Sequence, residues 1–152
     1  PEICSRLIQL GINLKWYIIG FGSDEDLIKQ KIKQWNMERH VVILGKKENP
    51  YPYIKECDLY VQPSRYEGKS VTVREAQILA KPVVITNYKT ADSQLQRNID
   101  GIVVSLNNVE CATEISLFLN DKKKYNDIIS NCRKREYSGK KEVEKLCRLL
   151  ES

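Results

Sequence analysis

Two glutamates eight positions apart, Glu67 and Glu75, carry the clearest chemical signal in the sequence. Glu67 follows an apolar run that predicts a strand, and Glu75 lies in a segment that predicts a helix. This order places a loop carboxylate, the free amides of a helix start and a helix carboxylate around one small volume. The volume suits a diphosphate flanked by two polyols, because a carboxylate accepts two hydrogen bonds from a vicinal diol. A structural alternative stays open, in which Glu67 caps a turn and Glu75 pairs with Arg74 or a surface lysine.

The residues between the two glutamates fit a phosphate. Gly68 lets a ligand approach the backbone closely. The amides of Lys69, Ser70 and Val71 begin the predicted helix, where the dipole and unpaired N–H groups favour anions. A nucleotide-diphosphate sugar combines this phosphate with two polyols, so we predict that the segment binds such a donor.

Three further loops are candidates, because ligands of open α/β sheets bind beyond the carboxyl ends of the strands. The loop at residues 87–90, after the fourth predicted strand, would be the far wall of the pocket or an ordinary helix-entry loop. Gly20 and Gly22 follow the first predicted strand and permit a tight turn, but they lack the third glycine of a dinucleotide fingerprint. The alternative is an ordinary turn in which Ser23 or Asp24 is an N-cap. Lys46 follows the second predicted strand, where it would meet a phosphate or a base carbonyl, or lie in a solvated loop.

Apolar runs that predict strands alternate with helix-like segments. The runs are residues 16–20, 41–45, 59–63, 82–86 and 101–105. The helical segments are residues 4–10, 24–34, 50–57, 71–79, 91–97, 111–119 and a tail, 122–150, with a break near Ser138 and Gly139. The runs do not alternate strictly, which is typical of strands buried on both faces. We predict an α/β fold: a Rossmann-like three-layer domain with a parallel sheet. Since a helix comes first, we expect at least one strand to precede the chain.

Composition and charge limit the classes of protein to which the chain can belong. The 152 residues fit a single domain, and 41% hydrophobic residues suffice for a core. A net charge of +5 suits an anionic ligand and does not by itself indicate nucleic-acid binding. No run approaches the roughly 18 apolar residues of a membrane span. The five cysteines are scattered without a C-x-x-C pair, so neither a zinc site nor a disulfide framework is expected, and a reducing cytoplasm is the predicted location.

Basic residues accumulate in the tail. They are Lys122, Lys123, Lys124, Arg133, Lys134, Arg135, Lys140 and Lys141. Such runs are usually solvated helix faces. Peripheral contact with an anionic membrane is the alternative.

Taken together, the motifs resemble a known family. The chain is similar to the nucleotide-sugar-binding C-terminal domain of the group 1 glycosyl transferases, or retaining glycosyltransferase family four, whose two-domain architecture is called GT-B. The similarity rests on the glycine turn with Leu27, the strands at residues 41–45 and 58–64, the pairs Glu67-Gly68 and Glu75-Ala76, and residues 80–84 and 100–104.

The resemblance implies a role for each part of the site. Glu67 would contact the donor sugar as the catalytic residue, Glu75 would bond the ribose hydroxyls, and the backbone after Gly68 would face the diphosphate. The sugar would pass to an acceptor hydroxyl with retention of configuration and without a metal ion or other cofactor. We expect a surface polysaccharide or another glycan as the product, made at the inner face of the membrane.

The resemblance also shows departures. The family often has glycine or proline at Ser70 and an aliphatic residue at Arg74, and its glutamate after the fourth strand is replaced near Ser93 or Gln94. Its arginine and lysine that grip the diphosphate, and the N-terminal domain that binds a glycan or lipid-linked acceptor, would lie upstream of Pro1. We therefore expect this segment alone to be inactive.

Other classes remain as alternatives. A nucleotide-binding Rossmann-like enzyme such as a methyltransferase would need an acidic residue at the end of the second strand, where Gly45 and Lys46 stand. A phosphoacceptor domain would need an aspartate where Pro63 and Ser64 stand. A non-catalytic α/β interaction domain would not need the glutamate pair.

Overall fold

A computed structural model describes residues 1–135. Its helices are α1 (Glu2–Gln9), α2 (Glu25–Gln34), α3 (Tyr51–Glu56), α4 (Val71–Ile78), α5 (Ala91–Gln94), α6 (Asn108–Asn120) and α7 (Lys122–Lys134). Its strands are β1 (Trp16–Ile19), β2 (Val41–Gly45), β3 (Tyr60–Gln62), β4 (Val83–Thr86) and β5 (Ile102–Val104). The predicted alternation of helices and strands is confirmed.

The strands are parallel and form two groups. β1 pairs with β2, and β3, β4 and β5 pair in that order, so that β4 lies in the middle of its group. Within residues 1–135 no ladder joins β1 to β3. The parallel sheet of the prediction is confirmed, and the carboxyl ends of β3, β4 and β5 lie along one edge.

Strand β4 divides the core into two apolar layers. Val84 packs with α6 and α7, whereas Val83 and Ile85 pack with α3, α4 and α5 on the opposite face. All three side chains are fully buried. Burial of each contributes on the order of 1.5–3 kcal/mol. Helices on both faces of a sheet confirm the predicted three layers, with β4 as the rigid centre.

N-cap side chains determine where two of the helices begin. Asn107 accepts hydrogen bonds from the N–H groups of Val109 and Glu110, so α6 begins at Asn108, earlier than the predicted residue 111. Ser70 caps α4 by accepting from the Val73 N–H at 3.4 Å. Helix α5 is shorter than predicted, because Leu95 takes an extended conformation and turns into the core.

The predicted helix over residues 122–150 is wrong at Arg135. Helix α7 ends at Lys134, and Arg135 has extended backbone (φ −78°, ψ 127°). Its guanidinium forms an ion pair with Asp100, whose carboxylate is fully buried and also accepts a 2.7 Å bond from the Gln96 N–H. The prediction that Arg135 belongs to a solvated face is therefore wrong too. The predicted break near Ser138 and Gly139 falls outside the described residues.

The structure tests only whether a helix could span a membrane. In the part of the chain that the structure describes, every helix is too short or too polar to cross a bilayer.

The Asp100–Arg135 pair gives a stability prediction. Replacing Arg135 with Met leaves a buried carboxylate without its cation, so we expect the free energy of unfolding to fall by about 3 kcal/mol. Urea denaturation followed by circular dichroism measures it. Lys134→Met removes an exposed neighbouring charge and should change stability by no more than about 0.5 kcal/mol. Equal losses in the two variants would contradict a specific role for the pair.

Candidate functional site

The loop between β3 and α4, residues 63–70, contains the first predicted site glutamate. The Glu67 side chain is half-buried, and its Oε1 accepts a 2.8 Å hydrogen bond from the Ser64 hydroxyl. The contact joins two side chains of the loop, three residues apart. It occupies Oε1 only, so the carboxylate keeps further capacity to accept bonds from a ligand.

Glu75 lies on α4, one turn after the helix start. Its Oε1 accepts a 2.9 Å hydrogen bond from the hydroxyl of Tyr51, the first residue of α3. That bond to the carboxylate, followed by the negative charge of Glu75, raises the pKa of the Tyr51 phenol. A hydroxyl already bonded to this carboxylate shows that Glu75 can accept from an alcohol in this position.

The backbone amides between the two glutamates are either hydrogen-bonded within the protein or free. The Ser70 N–H donates to Oε1 of Gln94 at 3.0 Å. The N–H groups of Lys69 and Val71 have no acceptor among residues 1–135. The helix dipole of α4 adds positive potential at this point. Lys69 and Val71 thus keep the free donors that the sequence predicted, whereas the Ser70 amide is already engaged.

A network of side chains fixes the start of α4 against β3. Oε1 of Gln62 accepts from the hydroxyls of Ser70 at 3.0 Å and Thr72 at 3.3 Å, and the Tyr60 hydroxyl lies 2.8 Å from Thr72 Oγ1. Because Ser70 also caps the helix, one side chain joins the loop, the strand and the helix. Serine at this position therefore has a structural function here.

Tyr88 adds a buried hydroxyl beside the site. Its ring belongs to the same core cluster as Ile54 and Val73, and the hydroxyl lacks a hydrogen-bond partner among the described residues. Burial, followed by the negative charge of Glu67, raises its pKa to about 12. Tyr88 therefore remains neutral at physiological pH.

The predicted loops after β1 and β2 lie together. The Gly20 N–H donates to the Gly45 carbonyl at 3.1 Å, and Gly20 (φ +149°) and Gly45 (φ +69°) have backbone conformations that favour glycine. The Lys46 ammonium lies 5.0 Å from the ring centroid of Phe21, which separates Gly20 from Gly22. These two loops form a cationic and aromatic surface.

Helix α3 contacts both the loop after β2 and Glu75. The Lys47 ammonium is 5.6 Å from the Tyr53 ring, and Tyr51 bonds Glu75 from the same helix. The loop after β2 is therefore linked to Glu75 through Lys47 and the short α3, and within residues 1–135 Gly20, Gly22 and Lys46 make no hydrogen bond or ion pair with Glu67.

Sequence reasoning gave Gln94 and Thr86 no role in holding the site, and it named the loop of Thr90 only as a possible wall of the pocket. Buried Gln94 donates from Nε2 to the Gly68 carbonyl at 2.7 Å in addition to accepting from Ser70. Thr90 Oγ1 donates to the Glu67 carbonyl at 2.6 Å, and Thr86 Oγ1 donates to the Ser64 carbonyl. Gln94 was visible in the sequence only as a departure from the family pattern.

The parallel strands with helices on both faces define a Rossmann-like domain, and α4 begins with free amides beyond the carboxyl end of β3. The sequence model of the family described as Glycosyl transferases group 1 matches residues 2–135, and the chain belongs to this family. Solved structures agree with the fold. "Crystal Structure of TarM" has a TM-score of 0.84 and 28% identity, and the match covers 99% of this chain and 31% of that one. A structure of Anabaena Alr3699/HepE in complex with UDP has a TM-score of 0.75 at 22% identity, over 87% and 38% of the chains.

Curated relatives share the family. The poly(ribitol-phosphate) alpha-N-acetylglucosaminyltransferase of Staphylococcus aureus (strain COL) is 29% identical over 71% of this chain and 22% of its own length. A Campylobacter jejuni 4-alpha-N-acetylgalactosaminyltransferase that acts on a diphospho-undecaprenol substrate is 32% identical over 66% and 28%. The chain thus spans between about a fifth and a third of the length of these relatives.

The Tyr51–Glu75 contact gives a pH prediction. A raised phenol pKa means that Glu75→Gln, which removes the negative charge, should lower the pKa of Tyr51 towards its ordinary value. NMR titration of Cζ-labelled tyrosine measures it, with Tyr51→Phe to assign the signal. The Tyr125 phenol is the internal control: its hydroxyl donates to the Asp58 carbonyl at 2.6 Å, burial raises its pKa, and Glu75→Gln should leave that pKa unchanged. An unchanged Tyr51 pKa would show that the bond does not persist in solution.

Proposed function

We propose that this chain is the donor-binding C-terminal half of a retaining glycosyltransferase of family four. The enzyme transfers a sugar from a nucleotide-diphosphate sugar to an acceptor hydroxyl in surface polysaccharide or glycan biosynthesis. One observation carries the proposal: the free N–H groups of Lys69 and Val71 at the start of α4 stand between two carboxylates that already accept hydroxyl hydrogen bonds.

Each part of the donor has a matching group. The diphosphate binds the amides of Lys69 and Val71 and the positive end of the α4 dipole. Glu75 accepts from the ribose hydroxyls, which take the place of the Tyr51 phenol or share the carboxylate with it. Glu67 accepts from hydroxyls of the transferred sugar and stabilises positive charge that develops at its anomeric carbon.

The leaving diphosphate needs positive charge as the glycosidic bond breaks. Donors aimed at that charge in a site that excludes water lower the barrier. In our proposal the α4 amides and basic side chains supply this stabilisation, so that the reaction needs no metal ion. Lys46, beside Phe21 on the neighbouring loop pair, is a candidate for such a cation.

We further propose that the chain continues upstream. β1 and β3 both contribute side chains to the core around Val84, and no hydrogen-bonded ladder joins them within residues 1–135. A strand that precedes Pro1 would fit between them and complete one sheet. An N-terminal domain before it would bind a glycan or lipid-linked acceptor on the cytoplasmic side of the membrane, and the segment of residues 1–152 alone would not turn over.

Relatives indicate which nucleotide to test first. A variant of Staphylococcus aureus TarM, 27% identical with a TM-score of 0.84, was crystallised with Fondaparinux, alpha-GlcNAc-glycerol and UDP. An Escherichia coli relative, 24% identical, is described as a UDP-Gal-dependent galactosyltransferase that acts on a diphosphoundecaprenol substrate. UDP is therefore the first ligand, with GDP and ADP for comparison.

Calorimetric titration of the full-length protein with UDP, GDP and ADP, in EDTA, tests the proposal. We expect one nucleotide to bind. Glu75→Ala should weaken it about 10- to 100-fold, because hydrogen bonds to a charged group contribute about 1.5–3 kcal/mol. Glu38→Ala removes an exposed glutamate outside the site and should leave affinity unchanged.

Two outcomes would contradict the proposal. Failure of all three nucleotides to bind the wild-type protein would remove the donor site. Equal affinity in the wild type and Glu75→Ala would remove the ribose-binding role of Glu75.

A further inference from the structure

Gln94 holds the loop before α4 through two hydrogen bonds. Its Nε2 donates to the Gly68 carbonyl at 2.7 Å, and its Oε1 accepts from the Ser70 N–H at 3.0 Å. The side chain is 4% exposed. A buried amide is costly unless both its polar atoms are paired, and here the loop backbone pairs both. One side chain therefore fixes the peptide groups on either side of Lys69.

Two threonines anchor the same loop from the same side. Thr86 at the end of β4 donates to the Ser64 carbonyl, and Thr90 donates to the Glu67 carbonyl at 2.6 Å. All three anchors come from β4 and the residues up to the end of α5, at residues 86–94. The loop at residues 64–70 is thus held along its length by a segment that is itself fixed to the most buried strand.

The two hydrogen bonds of Gln94 also determine which backbone amides remain free for a ligand. Gln94 takes the Ser70 N–H, and the N–H groups of Lys69 and Val71 stay without a protein acceptor among the described residues. Gln94 does not itself reach the free amides. Its effect on a bound anion is transmitted through the backbone of residues 68–70.

We propose that Gln94 is a positioning residue of the donor site, which orients the Gly68–Ser70 backbone so that the amides of Lys69 and Val71 bind the diphosphate. This inference rests on the proposed function of the site. In this inference the Ser70 amide binds Gln94 and not the ligand.

A comparison of two ligands separates positioning from simple structural support. UDP carries the diphosphate, and uridine has the same base and ribose without it. If Gln94 orients the diphosphate-binding amides, its replacement weakens UDP and spares uridine. A general loss of structure would weaken both ligands to the same degree.

The experiment uses the full-length protein with Gln94→Met, which keeps the side-chain volume but makes neither bond, and Gln94→Glu, which keeps the acceptor and loses the donor. We expect each to weaken UDP at least tenfold in calorimetry while uridine affinity, from NMR titration, changes less than twofold. Gln96→Glu is the matched control, because Gln96 is exposed two positions away, and it should bind both ligands like the wild type.

Unchanged UDP affinity in Gln94→Met would overturn the inference, and so would equal losses for UDP and uridine. Restoration of UDP affinity in Gln94→Glu at mildly acidic pH would support it, since a protonated carboxyl again donates to the Gly68 carbonyl. A wild-type protein that binds none of UDP, GDP and ADP would instead refute the proposed function from which the inference starts.

Discussion

The attachment of the loop at residues 64–70 to β4 and its following segment is the constraint on which the rest of the site depends. The loop is largely exposed, and isolated exposed backbone would not keep two amides and a carboxylate in one arrangement. Hydrogen bonds from Thr86, Thr90 and Gln94 tie it to the strand whose four residues are all buried. The precision of the candidate site therefore comes from the core of the sheet.

The two glutamates illustrate how carboxylates are accommodated next to the proposed anion site. Each accepts a hydroxyl bond from the protein, Glu67 from Ser64 and Glu75 from Tyr51, which fixes one oxygen of each side chain. In the proposed function, a carboxylate on each side of the α4 start accepts hydroxyls and repels phosphate. Positive potential at the helix start with negative charge beside it would then favour a diphosphate between polyols over a simple phosphate.

The contrast between local and long-range signals explains what the sequence predicted. The strands were predictable because a continuous apolar run, such as residues 82–86, is typical of a strand buried on both faces. The start of α4 was predictable from the helical pattern that follows Gly68. Gln94 was not, because its partners lie 24 and 26 residues earlier and no periodic pattern relates them. Arg135 was misread for the same reason: a cation in a basic run has no local feature that indicates a distant buried carboxylate such as Asp100.

The measurement that tests the central claim most directly is a ¹⁵N–¹H correlation spectrum of the full-length protein with and without UDP. The account predicts that the largest shifts occur at the amides of Lys69 and Val71, where the diphosphate accepts their free N–H groups. The Ser70 amide, bonded to Gln94, should move less. Saturating UDP that leaves Lys69 and Val71 unchanged would contradict the assignment of the α4 start as the diphosphate site.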